Sequence, residues 1–418
     1  MATDPEAIVE RVVRRESGRM TSALTRLFGL HNLPLVEDVV NDALCRALEV
    51  WKYRGVPENP SAWLMAAAKN RAVDALRRER TARRLEPELE AQLSSEWTLV
   101  PTVEEVFGDE ALRDEQLRMM FACCHARLPE EAQVALMLHL LGGFGVRELA
   151  AAFLVSEAAM EKRLQRGKAV LAASGRLPEV TAERVAEGIG AVHGALYLLF
   201  NEGYHGSHAE ETVRAELCAE AIHLATLLAE SPSTASPGTH ALLALMCLTA
   251  ARLPGRVAGG ELVSLAAQDR STWDRELVRR GVAALEASAS GDRLTALHVE
   301  AAIAWEHTSA PSHEATDFAR IAELYDVLVR LRPSPVVALS RAIAIGEAEG
   351  PERALEEMAR IEGLERLGEY PFYAAALAEQ HLRAGRRAEA REGFRRALSL
   401  ARNPAEARFL EGRLAACA

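Results

Sequence analysis

Residues 145–170, GVRELAAAFLVSEAAMEKRLQRGKAV, constrain the fold of this chain more than any other stretch, because they read as two short helices joined by a tight turn. Val146, Leu149, Ala150 and Phe153 recur at helical spacing. Leu154-Val155 makes a short apolar turn, and Ser156 is placed to cap a second helix whose first turn carries Glu157. A helix pair of this kind lays its second helix in the DNA major groove. Lys162, Arg163, Arg166 and Lys168 gather toward the C-terminal end of that helix, so the element that enters a groove also carries charge that pairs with phosphate. A solvated amphipathic helix is the competing reading of the same residues.

Aromatic residues make up 5% of the 418, Ala, Leu, Glu and Arg dominate, and period-two apolar alternation is scarce, which predicts an all-α chain. No apolar run approaches membrane-spanning length and MATDPEAIVERVVRRES lacks a signal-peptide core, so the expectation is a cytoplasmic protein with no membrane association. The six cysteines, Cys45, Cys123, Cys124, Cys218, Cys247 and Cys417, show neither paired metal-ligand spacing nor a disulfide rhythm, and read as buried thiols in a reducing compartment.

A net charge of −11 argues against nucleic-acid binding until its distribution is examined. Residues 86–115 hold ten acids against Arg113 alone, and the chain beyond residue 175 carries −8, so the remainder of the first 175 residues is basic. A basic front half is thus interrupted by an acidic tether and followed by an acidic back half.

Residues 5–30 carry Ile8, Val12, Leu24 and Leu27 at helical spacing. Pro34 reads as a break, after which Leu35 to Trp51 forms a second helix with Glu37, Asp38 and Asp42 in its early turns. The loop KYRGVPENPSA is irregular, and Ser61 is placed to cap a long helix reaching about Arg80, with seven cations between Lys69 and Arg84. Residues 176–418 read as successive helices. Near the end Ala378, Gly385, Ala390, Phe394 and Ala397 occupy the small and aromatic positions of a tetratricopeptide-like hairpin. Ala342, Ala354, Met358 and Ile361 repeat the frame 36 residues earlier, and Trp305, Ile321, Tyr325, Leu328 and Pro333 supply a third copy.

EDVVNDALCRALEVW and NPSAWLMAAAKNRAVDALRRER resemble region 2 of a bacterial RNA polymerase sigma factor of the extracytoplasmic-function (ECF) type in the sigma-70 family. The stretch from DEQLRMMFACCHARL through LQRGKAVL resembles region 4. The long extension with LYLLFNEGY, Leu196–Tyr204, resembles the subgroup whose extension contains tetratricopeptide-like repeats. The resemblance implies residues 1–84 as region 2, 85–115 as a flexible acidic linker, 116–175 as region 4, 176–300 as a helical extension and 301–418 as repeats. It implies that Asp38, Val39, Asn41, Asp42 and Leu44 dock on the polymerase clamp. Trp63 and Asn70 would hold a flipped base of the −10 element, with Arg71, Arg77, Arg78 and Arg80 along its backbone. Ser156, Met160, Glu161, Lys162, Arg163, Arg166 and Lys168 would meet the −35 element. The tether would thread the basic RNA exit channel of core polymerase, and the concave repeats would take a regulatory protein or peptide.

The implied partners are therefore core RNA polymerase and promoter DNA, with no enzymatic activity, cofactor or metal. Cys123-Cys124-His125 lacks a second ligand pair, and Glu202, His205 and His208 in NEGYHGSH match no zinc or di-iron spacing, although a metal-dependent hydrolase centred on residues 200–208 stays an alternative. So does a helix-turn-helix regulator that acts without polymerase.

Overall fold

The computed structural model of the chain describes residues 5–82, 105–153, 155–205, 213–258, 261–368, 370–401 and 403–417, with the backbone alone described for 5–15, 79–82, 109, 151, 152, 205, 258 and 366. The described fold is all-α apart from a two-residue antiparallel pairing of Val257–Ala258 with Glu261–Leu262. It divides into two compact units, Met1–Leu199 with Glu230–Thr234, and Phe200–Ala229 with Ala235–Ala418.

In the first unit α1 (Pro5–Phe28), α2 (Leu33–Arg54), α3 (Pro60–Ala82) and α4 (Asp109–Cys123) contribute to a core that includes Met20, Leu24, Leu27, Val36, Val40, Ala72 and Leu76. Pro34, expected as a break, instead lies in the first turn of α2, where its missing N–H forfeits no intrahelical bond. Ser61 is likewise not the cap of α3. Asn59 Oδ1 accepts the Ala62 N–H at 3.0 Å, one residue ahead of Pro60. The tether also departs from expectation where it is described. Phe107 and Leu112, 8% and 1% exposed, pack into the α1–α3 core and draw the start of α4 with them. Residues 85–104 of the tether lie outside the described residues.

Beyond α4 come α5 (Glu130–Leu140), α6 (Val146–Ala152) and α7 (Glu157–Ala172). Ser156 Oγ accepts the Ala159 N–H at 3.3 Å, the cap expected for the second helix of the pair. Met160, Leu164, Gly167 and Leu171 form the buried stripe of α7. A side chain at Gly167 would press on Leu136 Cδ1 of α5 at 2.7 Å, so glycine there lets the two helices close up. This module packs on α1 and α2. The Leu30 N–H donates to the Gly175 carbonyl at 2.8 Å, and a Cβ at Gly18 would fall 1.7 Å from the Leu141 carbonyl oxygen.

Helix α8 (Ala182–His205) is divided between the two units, as is α9 (Ala215–Glu230). The second unit continues through α10 (Pro237–Ala250), α11 (Leu253–Arg256), α12 (Arg275–Ser288), α13 (Ala296–Ser309), α14 (Phe318–Leu331), α15 (Pro335–Glu349), α16 (Pro351–Ala359), α17 (Pro371–Arg383), α18 (Arg387–Ser399) and α19 (Pro404–Ala415). Successive members pack as neighbours, α14 on α15 and α17 on α18 among them. The positions that recur at 36 residues are the ones turned inward: Ala354 and Ala390 are both 0% exposed, Met358 and Phe394 both 1%. All six cysteines are free, and five are buried as expected; Cys45 is the exception, on the outer face of α2. No described helix is long and apolar enough to cross a membrane.

Candidate nucleic-acid interface

Because α7 spends Met160, Leu164, Gly167 and Leu171 on packing, its outward face is Glu157, Glu161, Lys162, Gln165 and Arg166. Lys162 and Arg166 stand one turn apart, and Arg166 Nε donates to the Lys162 carbonyl at 3.2 Å. These two cations, with exposed Arg147 on α6, are the charges this face offers to phosphate. The sequence reading missed Arg147, although it stands alone as a cation within GVRELAAA.

The other expected groove residues are spent inside the protein. Met160 is 0% exposed and serves as core. Arg163 pairs with Glu131 of α5 at 3.0 Å and lies over the Phe153 ring at 5.4 Å, tying α7 to its neighbours. Lys168 pairs with Glu37 of α2 and approaches His139 Nε2 at 3.0 Å, while His139 Nε2 also meets Glu37 Oε1 at 2.9 Å. The opposite ring nitrogen, Nδ1, is 2.8 Å from the Phe144 carbonyl, to which it donates. Burial works to raise the pKa of Glu37, but hydrogen bonds from His139 and Lys168 and the Lys168 charge outweigh it and hold the carboxyl below its ordinary value. Beside this network lies a cavity of about 500 Å³ whose lining includes Asp38, Asn41 and Glu161, so residues expected at two separate surfaces share one cavity wall.

On α2, Asp38, Asn41, Asp42 and Cys45 face outward, Leu44 is half-buried, and Val39 is 5% exposed and belongs to the core. Trp51 is buried against Trp63, ring centroids 5.7 Å apart and edge-on at 63°, which leaves Trp63 half-buried as one wall of a small apolar cluster with Ala47 and Leu64. Asn70, Arg77 and Arg78 are exposed on α3. Arg71 is within 4.0 Å of Asp42, its Nε enclosed without an acceptor, so it braces α3 against α2. The side chain of Arg80 lies outside the described residues. Leu48 and Tyr53 near the end of α2 and Val56 in the loop that follows are 55%, 83% and 45% exposed, an apolar rim that the sequence reading did not single out.

Cys123 and Cys124 are buried, and burial pushes the Cys124 thiol up to about 12, so neither offers a thiolate at neutral pH. Among the described residues no three His, Cys, Asp or Glu side chains are grouped to hold a metal ion, and His208 of the NEGYHGSH segment lies outside them.

Two helical modules, one ending in a capped helix-turn-helix whose outward face carries Lys162 and Arg166, define a class. Residues 12–82 match Sigma-70 region 2 and residues 118–171 match Sigma-70, region 4, which supports a sigma-70 factor with a role in promoter recognition. Residues 188–289 match a family of unknown function, DUF6596. Over 396 residues the chain is 40% identical to an uncharacterized protein of Rhizobium meliloti (strain 1021), covering 94% of this chain and 92% of that one.

Proposed function

We propose that this protein is an ECF-type sigma factor that binds core polymerase through the outer face of α2 and reads a two-part promoter. Region 2 takes the −10 element with Trp63, Asn70, Arg71, Arg77, Arg78 and Arg80, region 4 takes the −35 element through α7, and the C-terminal helices act as a regulatory module built of tetratricopeptide-like hairpins. The single observation that carries the reading is the exposed Lys162–Arg166 face of a capped α7 in the same chain as the outward Asp38, Asn41 and Asp42 of α2. Within that reading the seven expected −35 residues divide. Glu161, Lys162 and Arg166 meet DNA with Ser156 at the cap, Met160 and Arg163 hold the helix in place, and Lys168 meets DNA only after leaving Glu37. The acidic tether follows the RNA exit channel, and the buried repeat frame leaves a concave face for a regulatory protein or peptide.

Run-off transcription by the full chain with purified core polymerase tests this. Lys162→Ala and Arg166→Ala should each weaken −35-dependent initiation, by about 1–3 kcal/mol where a base contact is lost, with unchanged unfolding temperature. Arg163→Ala should instead lower the unfolding temperature. Promoter-specific binding that needs no core polymerase would overturn the sigma reading in favour of a stand-alone regulator.

A further inference from the structure

Cations gather at the end of α10. Arg252, just beyond that helix, is 9% exposed, its Nε is enclosed without an acceptor, and its guanidinium makes no ion pair among the described residues. The Arg252–Arg256 turn runs over the edge of Trp273, where a side chain at Gly255 would press on Nε1 at 3.1 Å, and Trp273 Nε1 is itself enclosed without an acceptor. The Asp274 N–H donates to the Ala251 carbonyl at 2.8 Å, which fixes the strand of chain bearing Trp273 against this turn. Helix α13 ends beside the same spot. Arg270 caps it, donating to the carbonyls of His307 and Ala310 at 2.8 and 2.5 Å while its guanidinium lies 4.9 Å over the Trp273 ring.

His307, close enough to feel both Arg252 and Arg270, has an enclosed Nδ1 without a hydrogen-bond partner. Arg256 completes the cluster, 4.3 Å over the Tyr204 ring.

The acids around this spot are committed elsewhere. Asp269 accepts the Ser271 N–H, Asp274 accepts those of Glu276 and Leu277, and His313 pairs with Glu347 at 3.5 Å. Glu314 acts on Arg270 from the surface. A guanidinium Nε shut off from water without an acceptor is costly, and the enclosed, unpartnered ring nitrogens of Trp273 and His307 add to that cost. At Arg252 Nε and Trp273 Nε1 the deficit is of one kind, a missing acceptor, and it stands in a half of the chain that is otherwise acidic.

We propose that this cluster is an anion site that receives a small ligand's oxyanion group, phosphate or carboxylate, on Arg252 with Trp273 Nε1–H and His307 as its neutral partners. The ligand stabilises the second unit when it binds, through the ordinary linkage between binding and folding. The site lies within the second unit.

Thermal unfolding of the full chain decides it, run in sodium chloride, inorganic phosphate and acetate at matched ionic strength. Wild type should unfold about 3 °C or more higher in phosphate or acetate than in chloride, and whichever salt acts identifies the head group. Arg252→Met should abolish that rise while unfolding in chloride at or above the wild-type temperature, because it removes an uncompensated charge. Trp273→Phe should diminish the rise. No rise in wild type, or an equal rise in Arg252→Met, overturns the site; if Arg252→Met shows no cooperative transition, an undiminished rise in Trp273→Phe overturns it.

Discussion

At the scale of a residue, His307 carries a proton-linked consequence. Burial first, then the charges of Arg252, Arg270 and His313, push its imidazole down to about 3, against an ordinary value of 6.5. Below about pH 6.5 the unfolded chain binds a proton that the folded chain refuses until about pH 3, so stability falls with pH across that window by up to about 1.4 kcal/mol per pH unit. His307→Gln removes this contribution. Denaturant midpoints measured from about pH 7 to about pH 4 should fall more steeply for wild type than for the variant, and parallel curves would refute the assignment.

At the scale of elements, the tie between α2 and α7 through Glu37, Lys168 and His139 predicts that Glu37→Ala costs about 1–3 kcal/mol of stability at neutral pH, since it leaves Lys168 partly buried without its carboxylate. Glu37 is held below its ordinary pKa, so its contribution is present above the ordinary carboxylate range and is lost as pH falls through and below it. The gap between wild type and variant should therefore close on acidification; a gap independent of pH would count against the ion pair.

The cap at Ser156 and the inward repeat positions were legible in the sequence because each is a local pattern with a period or a cap chemistry behind it, whereas Met160, expected at DNA, belongs to the buried stripe of α7. The destinations of Arg163 and Lys168 were not, because Glu131 and Glu37 lie far along the chain and nothing local distinguishes a cation that will meet phosphate from one that will meet a carboxylate. Pro34 and the Asn59-Pro60 start misled for a related reason: proline ends a helix and begins one with equal ease, and only the cap geometry decides. Phe107 and Leu112 were hidden by the density of acids around them.

At the scale of the molecule, the first unit holds the promoter-reading modules against one another, and the second stacks its helices around buried small and aromatic positions. The close approach at Gly18 makes the seam in the first unit a fitted joint, with no slack for even a methyl group. A joint of that kind parts all at once, so the hydrogen atom at position 18 is where a single carbon would act as a wedge. In Gly18→Ala, spin labels on the native Cys45 and on a Gln165→Cys cysteine should report a longer and broader separation than in the parent chain. A distance distribution identical to the parent's would mean that the seam absorbs the wedge by yielding locally, and that the two modules hold together by something other than the fit at this point.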